Sequence, residues 1–100
     1  MLRGYEREGY EMAARRWRGS GGEIDLILRK EDGFVFVEVK KARDLARAAC
    51  RLSQAQLARI CQTASEYLGD IPDGGLMEMR FDLALVDGAG RMARYQNITL

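Results

Sequence analysis

The chain has 100 residues, 47% of them hydrophobic and 31% charged, with a net charge of +1. That is the size and composition of one ordinary soluble domain with a single core. No apolar run approaches the ~20 residues of a membrane span, and the start Met1-Leu2-Arg3-Gly4-Tyr5-Glu6 lacks a signal-peptide apolar stretch, so a cytoplasmic protein without membrane contact is expected.

The chain contains no histidine and only two cysteines, Cys50 and Cys61. Soft-ligand zinc sites and imidazole acid–base chemistry are thereby excluded, and any bound metal must take oxygen ligands, which selects Mg²⁺ or Mn²⁺. On one helix the two thiols would stand roughly 16 Å apart, too far for a disulfide, so packing is their expected role.

In chain order, a short helix is predicted to stop at Glu8-Gly9, with Gly9 as its C-terminal breaker, followed by an extended segment over 10–17. Gly19-Ser20-Gly21-Gly22 is a turn. Residues 24–29 and 34–40 are β-branched and aromatic, and with the Asp32-Gly33 pair between them they predict a hairpin. A charged loop runs to Leu52. Ser53 and Gln56 form a capping box, and Leu57, Ile60, Cys61, Ala64 and Leu68 follow at helical spacing until Gly69 and Pro72 end the helix. Residues 79–86 alternate, with Phe81, Leu83 and Leu85 on one face, and a last strand is expected near 92–96. Helix, three strands, helix, two strands is an α/β (α+β) pattern: one mixed sheet with helices packed on it. One domain over 1–100 accounts for the whole chain.

Charge is unevenly placed. Residues 40–60 hold Lys40, Lys41, Arg43, Arg47, Arg51 and Arg59 against the single acid Asp44, and residues 12–20 hold Arg15, Arg16 and Arg18 with no acid. Two basic surfaces suit phosphate binding, and solvated helix exteriors explain them equally well.

The hairpin carries the chemistry. Alternation sends Val35, Val37 and Val39 to one face and Phe36, Glu38 and Lys40 to the other; Ile24, Leu26 and Leu28 form the matching core set, with Asp25 and Ile27 opposite. A turn centred on Glu31-Asp32 puts Asp25 directly across from Glu38. One centred on Asp32-Gly33 puts it across from Lys40 and diagonal to Glu38. The intermediate slip would bury Asp25 among valines. Both allowed registers bring two carboxylates and an ammonium together, and carboxylates that close repel unless a cation neutralises them. A divalent ion held by Asp25, Glu38 and the main-chain carbonyl of Val39 meets that need, with Lys40 placed to orient water or stabilise transition-state charge. Spacing alone favours a salt-bridged strand face over catalysis.

Gly21-Gly22-Glu23-Ile24-Asp25-Leu26-Ile27 followed by Val35-Phe36-Val37-Glu38-Val39-Lys40 resembles the YraN-like family. Supporting segments are Gly9-Tyr10-Glu11 with Ala14-Arg15, Leu52-Ser53 with the helix ending Tyr67-Leu68, and Arg80-Phe81-Asp82. The resemblance covers nearly the whole chain. It implies a relation to archaeal Holliday-junction resolvases, a restriction-endonuclease-like core and a PD-(D/E)xK-type metal site in which Asp25, Glu38 and Lys40 match residue by residue. Glu23 also matches a motif position, as a supporting acid or a surface charge. Relatives carry a further acid on the first helix; with Tyr5 aligned to their tyrosine it would fall upstream of Met1, so the first helix is read as truncated. Many members have Lys where Gln56 stands, and Thr-Arg where Lys41-Ala42 stands.

The expectation is therefore a Mg²⁺- or Mn²⁺-dependent nuclease hydrolysing DNA, with branched DNA and a homodimer suggested by the resolvase analogy. Lys41, Arg43, Arg15, Arg16 and Arg18 are the candidate nucleic-acid contacts. The alternative is a DNA-binding or adaptor module of the same fold whose site has decayed. Asp82, beside Arg80, reads as an ion pair, and Trp17 with Tyr10 read as core aromatics before base-stacking ones.

Overall fold

The computed structural model describes residues 3–31, 33–41, 53–72, 78–89 and 91–98. A short helix α1 (Arg3–Arg7) leads into β1 (Glu11–Gly19), β2 (Gly22–Lys30) and β3 (Gly33–Lys41); helix α2 (Gln54–Gly69) crosses to β4 (Glu78–Val86), and β5 (Met92–Tyr95) closes the chain. The five strands form one sheet in sequence order, β1-β2-β3-β4-β5. All neighbours are antiparallel except β3 and β4, which run parallel from Gly33–Glu78 to Lys41–Val86. A parallel pair needs a long crossover, and α2 lies in it. The expected mixed α+β sheet is the one observed.

Local signals hold at the helix ends. Gly9 takes φ +93, a conformation only glycine adopts cheaply, and the amides of Glu8, Gly9 and Tyr10 close back on Tyr5 and Glu6 carbonyls. Ser53 Oγ accepts the Gln56 N–H at 3.1 Å while Gln56 Oε1 accepts the Ser53 N–H at 2.9 Å, the reciprocal box the sequence predicts.

The hairpin register is the first of the two allowed. Lys30 pairs with Gly33 and Leu26 with Val37, so the chain turns between Lys30 and Gly33, and Gly33 belongs to the strand. Glu31 supplies the positive φ, +49, of a two-residue hairpin turn.

Face assignment is where alternation misleads. Phe34, Val35, Phe36 and Val37 are all buried, as are all residues from Phe81 to Leu85. The central parallel pair is covered on both sides, so neither strand has a solvent face along its middle. Ile24, Ile27, Phe34, Phe36 and Phe81 pack with Ile60, Ala64 and Leu68 of α2, while Leu26, Leu28, Val35, Val37 and Ala84 pack with Tyr5 of α1. Ile27, expected opposite the core, is fully buried, and Ile24 shares its cluster rather than that of Leu26 and Leu28. Two residues three apart cannot share a face of a regular strand. The break falls at Asp25, just beyond the last registered β2–β3 pair and beside Arg16, whose φ is +52.

Trp17 meets Tyr67 edge-on at 5.2 Å, and Tyr10 meets Tyr5 at 5.9 Å, so both are packing aromatics. Cys61 is a partly buried free thiol of α2, its pKa raised by burial; Cys50 lies outside the described residues. No described helix is long and apolar enough to cross a membrane.

Candidate metal and phosphate site

Beyond Leu26–Val37 the backbone ladder between β2 and β3 gives way to side chains. Asp25 Oδ2 accepts the Val39 N–H at 2.7 Å, and Glu38 Oε1 accepts the Asp25 N–H at 3.3 Å. Each carboxylate thus takes a main-chain donor on or beside the other's residue, which pins the two acids together where the strands part. Glu38 and Lys40 stay in the parallel ladder, opposite Leu83 and Leu85 of β4. The cluster therefore sits near the carboxyl ends of the two parallel strands, the end at which open sheets of this kind bind ligands.

Electrostatics distinguish this pair from a surface ion pair. Burial first, and then the Asp25 charge, push the Glu38 carboxyl up to about 7, against the opposing pull of the Asp25 N–H and Lys40. A carboxylate beside an ammonium ordinarily ionises more readily, not less. Lys40 alone does not offset burial and the second carboxylate. Among the described residues no group of three or more acidic, histidine or cysteine side chains converges, so an ion here would draw on two carboxylates, main-chain oxygen and water. The Val39 side chain packs against the α1-side core, and its amide is the one that Asp25 holds.

Across from Glu38 stands α2. A cleft of about 220 Å³ is lined by Gly21 and Glu23 from the β1–β2 hairpin, Glu38 from β3, and Gln56, Arg59 and Ile60 from the helix. The turn makes this approach possible, since a Cβ on Gly21 would collide with the Arg59 carbonyl oxygen. Ser20 ties the turn to the helix, its N–H donating to Glu66 at 2.8 Å and its hydroxyl accepting from Gln62 at 3.0 Å. Gln56 lines the cleft and also completes the helix cap.

Glu23 reaches the cleft but is occupied: Arg16 Nε lies 3.0 Å from one oxygen and Arg18 Nη2 3.5 Å from the other, which lowers its pKa. Of the expected nucleic-acid contacts, Arg15, Arg16, Arg18 and Lys41 are exposed, and Arg43 lies outside the described residues. Arg59 carried no individual role in the sequence, being one cation of a basic run; its helical spacing from Gln56, read against the glycine turn, was the available signal.

Asp82 is not part of this site. Fully buried, it accepts from Tyr5 Oη at 2.7 Å, from Arg80 Nε and Nη2 at 2.9 Å each, and from the Asn97 N–H at 3.1 Å. Burial and the bond to Asp82 hold the Tyr5 phenol well above its ordinary range. A larger cleft of about 420 Å³ at the far end of β3 is lined by Tyr10, Phe34, Glu78 and Arg80 among others, and it gathers no carboxylate pair.

Residues 2–86 match the profile of the family described as Uncharacterised protein family UPF0102, the YraN family. A UPF0102 protein of Ruegeria pomeroyi is 56% identical over 97% of this chain and 79% of its own length. One from Dinoroseobacter shibae is 53% identical over 98% of this chain and 73% of its own, and one from Roseobacter denitrificans 50% identical over 97% and 75%.

Proposed function

This chain belongs to the UPF0102 family, and on that footing we propose that it is a divalent-metal-dependent nuclease acting on DNA, with Asp25, Glu38 and Lys40 as its site. The observation that carries the reading is the Asp25–Glu38 pair itself. Two carboxylates are locked together by main-chain bonds of 2.7 and 3.3 Å, and one of them is driven up to about 7 beside a lysine. Such an arrangement is unfavourable in isolation and favourable with a hard cation, which oxygen ligands select as Mg²⁺ or Mn²⁺.

Asp25, Glu38 and the Val39 carbonyl would hold the ion. When bound, it would supply an acidified water and charge neutralisation at a phosphoryl oxygen. The protein's own contribution is positional. Asp25, by holding the Val39 amide, fixes the strand end from which Lys40 projects, and the Lys40 ammonium, whose charge acts on Glu38, would offer a positive charge to a phosphate at the ion. Branched substrates and a homodimer that cuts two strands extend the same reading by analogy with resolvases.

A second reading, a DNA-binding module whose site has decayed, is favoured by one observation: only two carboxylates converge among the described residues, because Glu23 is engaged by Arg16 and Arg18. The two readings separate in a cleavage assay on linear, branched and single-stranded DNA with Mn²⁺. Wild type is expected to cut, and Glu38→Ala and Lys40→Ala to lose activity on the order of a hundredfold or more. Cleavage that survives both substitutions would assign the activity elsewhere. Binding without cleavage would support the decayed module.

A further inference from the structure

Three arginines reach the neighbourhood of the carboxylate pair, and the structure treats them differently. Arg16 and Arg18 rise from β1 and share the one carboxylate of Glu23, so each is already held in an ion pair where it stands. Arg59 is on the other wall of the cleft. Its Nε leans on the Ala55 carbonyl at 3.4 Å, a long contact, and among the described residues it makes no ion pair. It lines the same cleft as Glu38 yet does not pair with it. The space of about 220 Å³ is several times the ~30 Å³ share of one water, enough for a phosphate group with some of its solvent.

The position of Arg59 is built from beneath. Gly21 approaches its carbonyl so closely that no side chain fits between them, and Thr63 Oγ1, one turn along the helix, donates to the Gly22 carbonyl at 3.4 Å. The helix backbone at Arg59 is therefore seated on the turn that leads directly into Glu23-Ile24-Asp25. Sheet and helix meet here with Glu38 on one side and, on the other, a guanidinium that makes no ion pair among the described residues.

We propose that Arg59 is a substrate-positioning residue that holds a non-bridging oxygen of a nucleic-acid phosphate across the cleft from Glu38. The inference rests on the metal-nuclease reading and adds to it the group that orients the phosphate. A phosphodiester is repelled by a carboxylate pair and needs positive charge on its far side as well as at the pair. A guanidinium supplies that charge in a planar fork matched to two phosphate oxygens.

The test is the affinity of the full chain for a labelled DNA duplex, measured with and without Ca²⁺, an oxygen-seeking ion used so that the duplex stays intact. Wild type, Arg59→Ala and Arg59→Lys are compared, with Mn²⁺ affinity in the absence of DNA and thermal unfolding as controls. Arg59→Ala is expected to bind DNA about tenfold more weakly in Ca²⁺. Its plot of log affinity against log salt should be shallower by about 0.9, the slope of one phosphate contact. Arg59→Lys should recover part of the loss, and metal affinity and unfolding temperature should not move. The part of the DNA affinity gained on adding Ca²⁺ should shrink in Arg59→Ala, because the phosphate is shared between the guanidinium and the ion. Unchanged DNA affinity and salt slope in Arg59→Ala overturn the proposal, as does an equal loss with and without Ca²⁺, which marks a remote surface charge. The nuclease reading fails separately, through a wild type that binds neither Mn²⁺ nor DNA at low salt; that result removes the proposal with it.

Discussion

A lone carboxylate, Asp82, and a carboxylate pair, Asp25 with Glu38, lie on the same sheet, and the two sites have opposite character. Asp82 is fully buried and accepts four hydrogen bonds, two of them from the Arg80 guanidinium. Glu38 is half-buried and accepts one long bond from the Asp25 amide, while a second carboxylate stands beside it. Burial raises the cost of charge in both places. At Asp82 the surroundings meet that cost and tie α1, β4 and the segment after β5 together. At Glu38 they do not, and the carboxyl is pushed up to about 7. A satisfied buried acid belongs to the fold. An acid pinned next to its like is the feature on which the proposed cation site rests.

Substitutions can break that comparison from either side. The largest effect is expected at Asp82. Asp82→Ala leaves the Tyr5 hydroxyl, the Arg80 guanidinium and the Asn97 amide without their acceptor, and should cost about 3–5 kcal/mol in chemical denaturation. Gly21→Ala comes next, at about 1–3 kcal/mol, because the added methyl must displace the Arg59 backbone. It should also reduce any cleavage activity, since it moves one wall of the cleft. Glu38→Gln should behave in the opposite sense to Asp82→Ala: above pH 7 and without metal its unfolding temperature should equal or exceed that of wild type, because a repelled charge is removed. If Glu38→Gln proves as destabilising as Asp82→Ala, the two sites are alike and the distinction fails.

The pH dependence sharpens the same point at smaller amplitude. Glu38 has a folded-state pKa of about 7, above its ordinary 4.5, so the folded chain binds more protons than the unfolded one between those values. Its contribution to stability is complete below about 4.5 and is lost as pH rises through 7. Thermal unfolding in a chelator should therefore show a decline across that window that Glu38→Gln flattens. Metal affinity should run the other way, strengthening toward pH 7 as the proton leaves. The smallest change is expected at Glu23, whose partners Arg16 and Arg18 are largely exposed: Glu23→Gln should leave the unfolding temperature nearly where it is in wild type.

Much of this was legible in the residues because the signals are local. Gly9, the Ser53–Gln56 box, the glycine turn and the hairpin each act over a few residues, and each stands where it was expected. The cluster of Asp25, Glu38 and Lys40 was legible because hairpin register is nearly local too, although the choice between two turns was not. What was hidden depends on distant segments. Phe36 and Ile27 looked outward by alternation and are core, because α2 covers their face and β4 pairs parallel to β3. Asp82 was read as a partner of Arg80, which it is; that it also holds Tyr5, 77 residues away, no spacing could reveal. The break at Asp25 lies beside the positive φ of Arg16, a backbone feature without a sequence mark. Arg59 needed the helix to be seated on Gly21 before it had a place in the site.

On the proposed reading Asp25 and Glu38 together bind a divalent cation, which a strained pair of surface acids would not do. Calorimetric titration of Mn²⁺ into the wild-type chain, Asp25→Asn and Glu38→Gln at pH 8 tests it most directly. A single site in wild type, weakened at least about tenfold in each variant while the fold is retained, is the predicted result. Mn²⁺ binding that is absent from wild type, or unchanged in both variants, would contradict it.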